Sequence, residues 1–507
     1  MPAAVRITGD LRIDVFDHAM DELARRHDAF RTSFTVLDGE AKQVVSAESP
    51  VRIQHEDLTS LTSEEAAAAC DERLARDCTD PFSLAEGPLL RIRLLRLAER
   101  EYVLTLVQHH LVCDWWSVRV LFSEFAQLYQ AFADGKPSPI APLTVHYGDL
   151  ATQQHDPANQ ASIEAGVRHW LDQLAGAAPA LQLPLSYPRP AQQSFSGASL
   201  PFELPDDVSA RLSELGREED ATLFMVMLSL YVVLLHRYTD QDDIVVGTSV
   251  ANRTHPASAG LIGLFVNTLA LRSDLSGEPS FRELLRRVRG VCLDAYEHQD
   301  VPFERVVQEL DPPRDASRPP VFQVGFSMQG QAIPTTRFAG IELSRIPVEY
   351  HGSAFDLELL AVEEKGHLQG HFEYNTMLFD EAAVTRLARS LEVLAAAAVD
   401  DPDVGVGRLS VISPEETAHL ARISTGDHRT WDAGLIHETI TEQAHRTPTA
   451  EAARFNTTSL TYAELNRNAN QLAHRLQQLG ATPDTIIGVY LERSLDLVTT
   501  LLAILKS

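Results

Sequence analysis

Residues 171–200 carry the string AGAAPALQLPLSYPRPAQQSFSG, rich in Pro, Ala, Ser and Gln and without an apolar period. Strand-like and helix-like patterns alternate on both sides of it, over residues 1–170 and again over 201–412. Proline at this density keeps the backbone out of helices and sheet ladders. The segment therefore reads as a crossing between two α/β lobes. A chain of 507 residues is also too long for a single core. The similar character of the lobes suggests an internal duplication, although no sequence repeat is readable.

In the first lobe the apolar spacing predicts a helix over residues 15–26 and another over 64–78, with an extended segment over 31–37. GPLLRIRLLRL and EYVLTLVQ read as two strands joined by a charged turn. Residues 118–132 have helical period, with Ser117 placed as the N-cap. The second lobe offers a helix at 223–235 and the strands IVVGTSV, VFQVGFSMQ and LQGHFEYN. The 223–235 run is too short to span a bilayer and is followed by His236 and Arg237, so it reads as a buried core helix. A boundary is expected over 413–432. Beyond it come a helix at 435–447 stopped by Pro448, LTYAEL, a long helix at 463–479 and a strand IIGVYL.

The net charge of −28 disfavours nucleic acid and anionic membrane as principal partners. Cys70, Cys78, Cys113 and Cys292 lack zinc or redox spacing, which points to reduced thiols in a cytoplasmic protein. Cys113 reads as buried filler rather than a nucleophile. The chain starts with secondary structure already under way and stops at LLAILKS without a cap, as a piece of a longer polypeptide would.

The densest chemical signal is HHLVCDWWS, residues 109–117, just past the apolar run 102–107. A strand that ends in a polar turn is a common way to place a general base at a cleft. The nonapeptide alone equally fits a pair of surface histidines followed by a helix cap, and both readings stand at this point.

Six segments in order then carry a resemblance. RHDAFRTSF (26–34), HHLVCDWWS, YGDLATQQ (147–154, a loose match), IGLFVNTLALR (262–272), HQDVPFE (298–304) and RDASRPPVFQ (314–323) resemble the motifs of a condensation domain of non-ribosomal peptide synthetases. From about residue 435 the chain is similar to the start of an adenylation domain, with LTYAEL (460–465) as its first core motif. The resemblance implies two lobes like chloramphenicol acetyltransferase, arranged as a V-shaped pseudo-dimer around a tunnel, plus a partial α/β adenylation subdomain over 433–507. The family's opening Ser-x-Ala-Gln motif, the Gly-rich phosphate loop and a carrier serine are not found, so this chain is not expected to adenylate.

The implied reaction joins a carrier-bound acyl or peptidyl thioester donor to the amine of a carrier-bound aminoacyl acceptor. No cofactor is expected on the chain itself, since the substrates arrive on phosphopantetheine arms. The implied partners are an upstream donor carrier, a downstream acceptor carrier and the rest of the adenylation domain. An α-amine has a pKa of about 7.7–8.0, so a useful fraction is neutral at physiological pH. Orientation can then supply up to roughly 7–11 kcal/mol, and a general base about 10²–10⁴-fold.

Following the family, His110 is the residue assigned to the amine. His109 should face the scaffold, because neighbours on an extended segment point opposite ways. Asp114 either polarises His110 or sits in a structural ion pair with Arg31 or Arg314. Ser117 is expected to be a cap, and Asn267 and Arg272 to organise the lobe interface. Trp115 stands where the family usually has Gly, a residue used for positive φ or close approach. Its likeness to the DFWS-like form found after polyketide modules implies a reshaped donor channel for polyketide or fatty acyl chains. The later motifs argue against an epimerisation domain, and His109 and His110 against a heterocyclisation domain. The alternative from another class is a catalytically impaired docking platform for carrier proteins.

Overall fold

A computed structural model describes residues 1–48, 51–329, 336–346, 348, 352–426 and 434–507. They form two compact units, Met1–Thr417 and Ala418–Ser507. The first unit is built on two mixed six-stranded sheets.

In the first sheet the opening strand Pro2–Gly9 lies inside, antiparallel to Glu101–Gln108 on one side and to Ile341–Ile346 on the other. The ladder continues through Leu90–Ala98 to Ile53–Asp57. Sequence from the second half thus crosses over and completes the first sheet, through Ile341–Ile346 and Thr336–Phe338. That pairing joins residues more than 300 apart, beyond the reach of any local pattern. On this sheet pack the helices Ile13–Arg26 and Trp115–Ala133, burying Phe16, Leu23, Phe125 and Tyr129.

The second sheet orders its strands Gly197–Glu203, His367–Asn375, Leu357–Glu364, Val324–Gln329, Asp243–Val250 and Asn267–Asp274. Its central helix, Leu223–Thr239, has no polar face, and Met225 through Leu235 are all buried. A helix apolar all round must be enclosed, and Thr222 starts it with a side-chain cap on the Met225 N–H. The helix Pro157–Leu174, assigned by its position to the first lobe, sends Val167, Trp170 and Leu174 into the second core. Tertiary packing rather than sequence position thus assigns this helix to the second core.

The expected elements at 15–26, 31–37, 64–78, 87–97 and 101–108 are all present within a few residues. Of the expected linker, 413–426 includes the helix Pro414–Ser424, while 427–432 lies outside the described residues.

The second unit holds the helix Ile436–Arg446, the hairpin Glu451–Phe455 with Thr458–Thr461, and the helices Tyr462–Gln478 and Leu495–Leu505. LTYAEL spans a strand end and a capping box in which Thr461 and Glu464 satisfy each other's N–H groups. Leu465, Ala469 and Leu502 form its small core. The strand expected at IIGVYL is absent: Ile486 and Tyr490 are fully exposed in irregular backbone. A strand needs a ladder partner, and none of the described residues supplies one. No single helix among the described residues is long and apolar enough to cross a membrane.

Candidate active site

The strand Glu101–Gln108 ends inside the first sheet, and one 3₁₀ turn, His110–Val112, carries the chain into the helix Trp115–Ala133. His109 and His110 therefore leave the sheet edge together but diverge. His109 is half-buried, edge-on to Phe82 with centroids 5.9 Å apart, and its Nδ1 accepts from the Leu111 N–H at 3.2 Å. Burial lowers its pKa below the ordinary histidine value, with the N-terminal ammonium and His110 acting in the same direction.

His110 is exposed. Its Nδ1 lies 2.9 Å from the Cys113 carbonyl oxygen. A carbonyl can only accept, so Nδ1 carries the proton and the neutral ring keeps its lone pair at Nε2. The turn thus fixes the tautomer of the neutral ring without any carboxylate. The positive end of the following helix lies immediately downstream, a favourable place for developing negative charge.

Asp114 does not touch His110. It is the N-cap of the helix, accepting from the Ser117 N–H at 2.7 Å. Its partner is neither of the two arginines expected but Arg253, whose Nη2 donates to Oδ1 at 2.9 Å and Oδ2 at 3.1 Å, with both side chains buried. The Phe265 N–H donates to Oδ2 at 3.0 Å. Arg31 is held locally by Asp28 at 2.6 Å and the Ala24 carbonyl at 3.1 Å. Arg314 is exposed in the loop that follows Leu310.

Ser117 is likewise not the cap. It lies in the first helical turn, fully buried. Its Oγ is 2.7 Å from Asp114 Oδ1 and 2.8 Å from the Gly263 carbonyl, and accepts from the Gly263 N–H at 3.0 Å and Arg253 Nη2 at 2.9 Å. The shift by three residues follows from charge: a carboxylate one turn earlier caps the helix and satisfies the guanidinium together.

Arg253 thus latches the start of the site helix to the second half. Its Nη1 also donates to the Leu261 carbonyl at 2.7 Å, and its guanidinium lies 4.2 Å from the Phe265 ring centre. Burial lowers its pKa, against the opposing pull of Asp114. No motif flagged Arg253, which sits just past the strand IVVGTSV, 139 residues from its partner. The useful signal would have been the demand of a buried Asp114 for a cation at a strand end.

The other motifs brace this latch. His27 Nε2 donates to Glu124 of the site helix at 2.7 Å, and Arg26 Nε reaches both Glu124 oxygens at 3.1 Å. Tyr147 donates to the Leu264 carbonyl at 2.8 Å, and its ring lies so close to Gly263 that a Cβ there would come within 2.3 Å. The expectation that Asn267 and Arg272 organise the lobe interface is not met. Asn267 ties its strand to the HQDVPFE loop, donating to the Gln299 and Val301 carbonyls and accepting from the Phe303 N–H. Arg272 forks onto Asp243 at 2.8 and 2.9 Å and holds the Gln173 and Ala175 carbonyls. The strand they share is an edge strand of the second sheet, and through Gln173 and Ala175 Arg272 holds the crossing segment 171–200.

Trp115 is the first helical residue, 40% exposed, and is not among the residues with positive φ. The backbone here does not require Gly. Trp116 anchors instead, donating from Nε1 to the Ala259 carbonyl at 2.9 Å. A cavity of about 610 Å³ runs along the same helix between Arg119, Glu124 and Gly260, and His110 is not among its lining residues. Cys113 is buried, with its thiol pushed far up by burial, which removes it as a nucleophile.

Comparison with known proteins adds to this geometry. The family described as Condensation domain matches residues 1–421, and that described as AMP-binding enzyme matches 440–507. The whole chain is 38% identical to part of a linear gramicidin synthase from Brevibacillus parabrevis, covering 7% of it. It is 39% identical to part of chondramide synthase from Chondromyces crocatus, covering 13%. The chain thus spans about a tenth of the length of these relatives. Among solved structures, the X-domain from teicoplanin biosynthesis superposes with a TM-score of 0.74 at 27% identity, covering 81% of this chain and 93% of that one. A four-domain non-ribosomal peptide synthetase bound to AMP and glycine shares the fold, with a TM-score of 0.75 at 23% identity, over 95% of this chain and 37% of that one.

Proposed function

The chain belongs to the condensation-domain family of non-ribosomal peptide synthetases, and from that membership we propose a reaction for this site. Amide formation between carrier-bound substrates is the role of the family. Here the donor is an acyl or peptidyl thioester and the acceptor an aminoacyl thioester, each on the phosphopantetheine arm of its carrier protein. Residues 440–507 match the start of an AMP-binding enzyme, and the remainder of that domain is the proposed neighbour. The working location is the cytoplasm, where free thiols such as Cys78 persist.

His110 is the proposed base. The acceptor nitrogen attacks the donor carbonyl, its surplus proton passes to Nε2, and the C–S bond breaks as the C–N bond forms. The proton then leaves on the departing thiol. The single observation that carries this assignment is the His110 Nδ1–H to Cys113 carbonyl bond, which in the neutral form of this exposed ring puts the lone pair on Nε2. Asp114 and Ser117, with Arg253, are positioning residues. Trp115, exposed at the start of the helix that follows the His110 turn, is the proposed wall of the donor channel and favours polyketide or fatty acyl donors.

A second reading, a docking platform, is favoured by likeness to the X-domain from teicoplanin biosynthesis, whose structure is known in complex with OxyB. One experiment separates the two. A single-turnover assay with an acyl-loaded donor carrier and an aminoacyl-loaded acceptor carrier is read by intact-protein mass spectrometry. Wild type is expected to form acyl-aminoacyl product on the acceptor, with His110→Ala slowed about 10²–10⁴-fold. Trp115→Gly is expected to shift preference from acyl toward peptidyl donors. Absence of product from every donor, with both carriers still binding, would establish the platform.

A further inference from the structure

In the second unit a groove of about 460 Å³ runs between the end of the helix Ile436–Arg446 and the helix Tyr462–Gln478. Asn466, Asn470 and His474 line it at i, i+4 and i+8, Arg467 and Gln471 lie one position round the same face, and the shorter helix contributes His445. No carboxylate is among the lining residues. Glu464, the only acid of the longer helix, is spent on the N–H and hydroxyl of Thr461. A polar stripe at this spacing is by itself the ordinary solvent face of a helix.

Lys506 makes it something more. Its ammonium donates to Thr441 Oγ1 at 2.8 Å, to Asn470 Oδ1 at 2.8 Å and to Asn466 Oδ1. An ammonium has three donors and no acceptor, so this half-buried charge is spent on neutral oxygens and has no carboxylate partner among the described residues. The same contacts settle which way both amides are turned, because only their oxygens can face a donor. The two NH2 groups are therefore turned away from Lys506, and neither Nδ2 has a hydrogen-bond partner among the described residues. Arg467 is exposed and reaches Glu464 only through its field. The groove thus carries amide donors, a free guanidinium and two imidazoles, with positive charge behind them and no acid in front.

We propose that this groove binds a phosphate group, with Asn466 Nδ2, Asn470 Nδ2 and the Arg467 guanidinium donating to its oxygens. Donors from two successive helical turns suit an anion with several oxygens, and the planar fork of arginine matches two of them at once. His445 and His474 flank the anion, and Lys506 acts behind the amides by holding their oxygens away from it. On a chain of net charge −28 a local surplus of this sign has to be built by placement, since composition opposes it.

The test titrates the full chain at fixed ionic strength with inorganic phosphate and with phenyl phosphate, read by ³¹P NMR line broadening and by calorimetry. Wild type is compared with Arg467→Gln and with Asn470→Asp, which keeps an oxygen for Lys506 but exchanges the amide donor for an anionic acceptor. Saturable binding is expected in wild type, with affinity lowered at least about tenfold in each variant. The melting temperature of Asn470→Asp should hold or rise, because the new carboxylate pairs with Lys506. Tighter binding of phenyl phosphate marks an organic phosphate ester as the occupant and equal binding marks free phosphate; either bears out the site. Equal affinity of wild type and Asn470→Asp, or no saturable binding by wild type, overturns the proposal.

Discussion

Replacing Asp114 by Ala strands Arg253, which is buried with only 3% of its side chain exposed. The same change removes the N-cap of the site helix and the acceptor for the Phe265 N–H. Removing one member of a buried ion pair costs about 3–5 kcal/mol. A lost cap costs about 1 kcal/mol, but it belongs to the same network and does not simply add. For a cooperative unit of 417 residues, an unfolding entropy of about 2.1 cal/mol/K per residue gives about 0.9 kcal/mol per kelvin. The expected fall in melting temperature is therefore about 3–6 °C, measured by calorimetry. Asp114→Asn, which keeps an acceptor for Ser117, should fall less. Replacing Asp114 and Arg253 together by apolar residues should recover much of the loss. Single-turnover condensation, assayed well below the melting point, should drop far less for Asp114→Ala than for His110→Ala, because Asp114 has no contact with His110. An unchanged melting temperature with a rate loss beyond about 100-fold would refute this reasoning and restore Asp114 as the partner that polarises the base.

Other consequences are open to direct measurement. Gly263→Ala forces a methyl into the Tyr147 ring and should destabilise by about 1–3 kcal/mol in urea unfolding, with a cycle against Tyr147→Leu showing coupling above about 0.5 kcal/mol. Burial and the neighbouring Glu358 raise the Glu373 carboxyl to about 7. An acid with its folded pKa above the unfolded value of about 4.3 holds an extra proton when folded, so stability falls as pH rises from about 4.5 through 7. Glu373→Gln should flatten that slope and gain on the order of 1 kcal/mol at pH 8, the figure being reduced for partial solvent exposure; an unchanged slope would remove Glu373 as its source. Iodoacetamide should label exposed Cys78 first in the native protein and spare Cys113 and Cys292, both buried, until the protein unfolds; early labelling of Cys113 would contradict its enclosure.

Local chemistry made much of this protein legible in its sequence. Apolar period alone places the helices Ile13–Arg26, Ser63–Thr79 and Leu223–Thr239 and the strands flanking the charged turn at residues 99–100, because helix and strand differ in which neighbours share a face. HHLVCDWWS gave His110 its exposure and His109 its half-buried place, since a strand end must turn its last residues to different sides. The same reasoning failed at IIGVYL, where strand propensity met no ladder partner, and at Ser117, where a local cap rule lost to a carboxylate that also had a buried cation to satisfy.

The alternation of elements and the histidine turn follow from the order of residues alone. All of these arise from interactions within a few residues, where spacing is information enough. Two other features needed the folded chain: that Arg253 rather than Arg31 or Arg314 neutralises Asp114, and that Ile341–Ile346 completes the first sheet. Each of these joins residues more than 100 positions apart. Burial selects such partners: a desolvated charge or an open sheet edge is satisfied by whichever group the whole fold delivers to it.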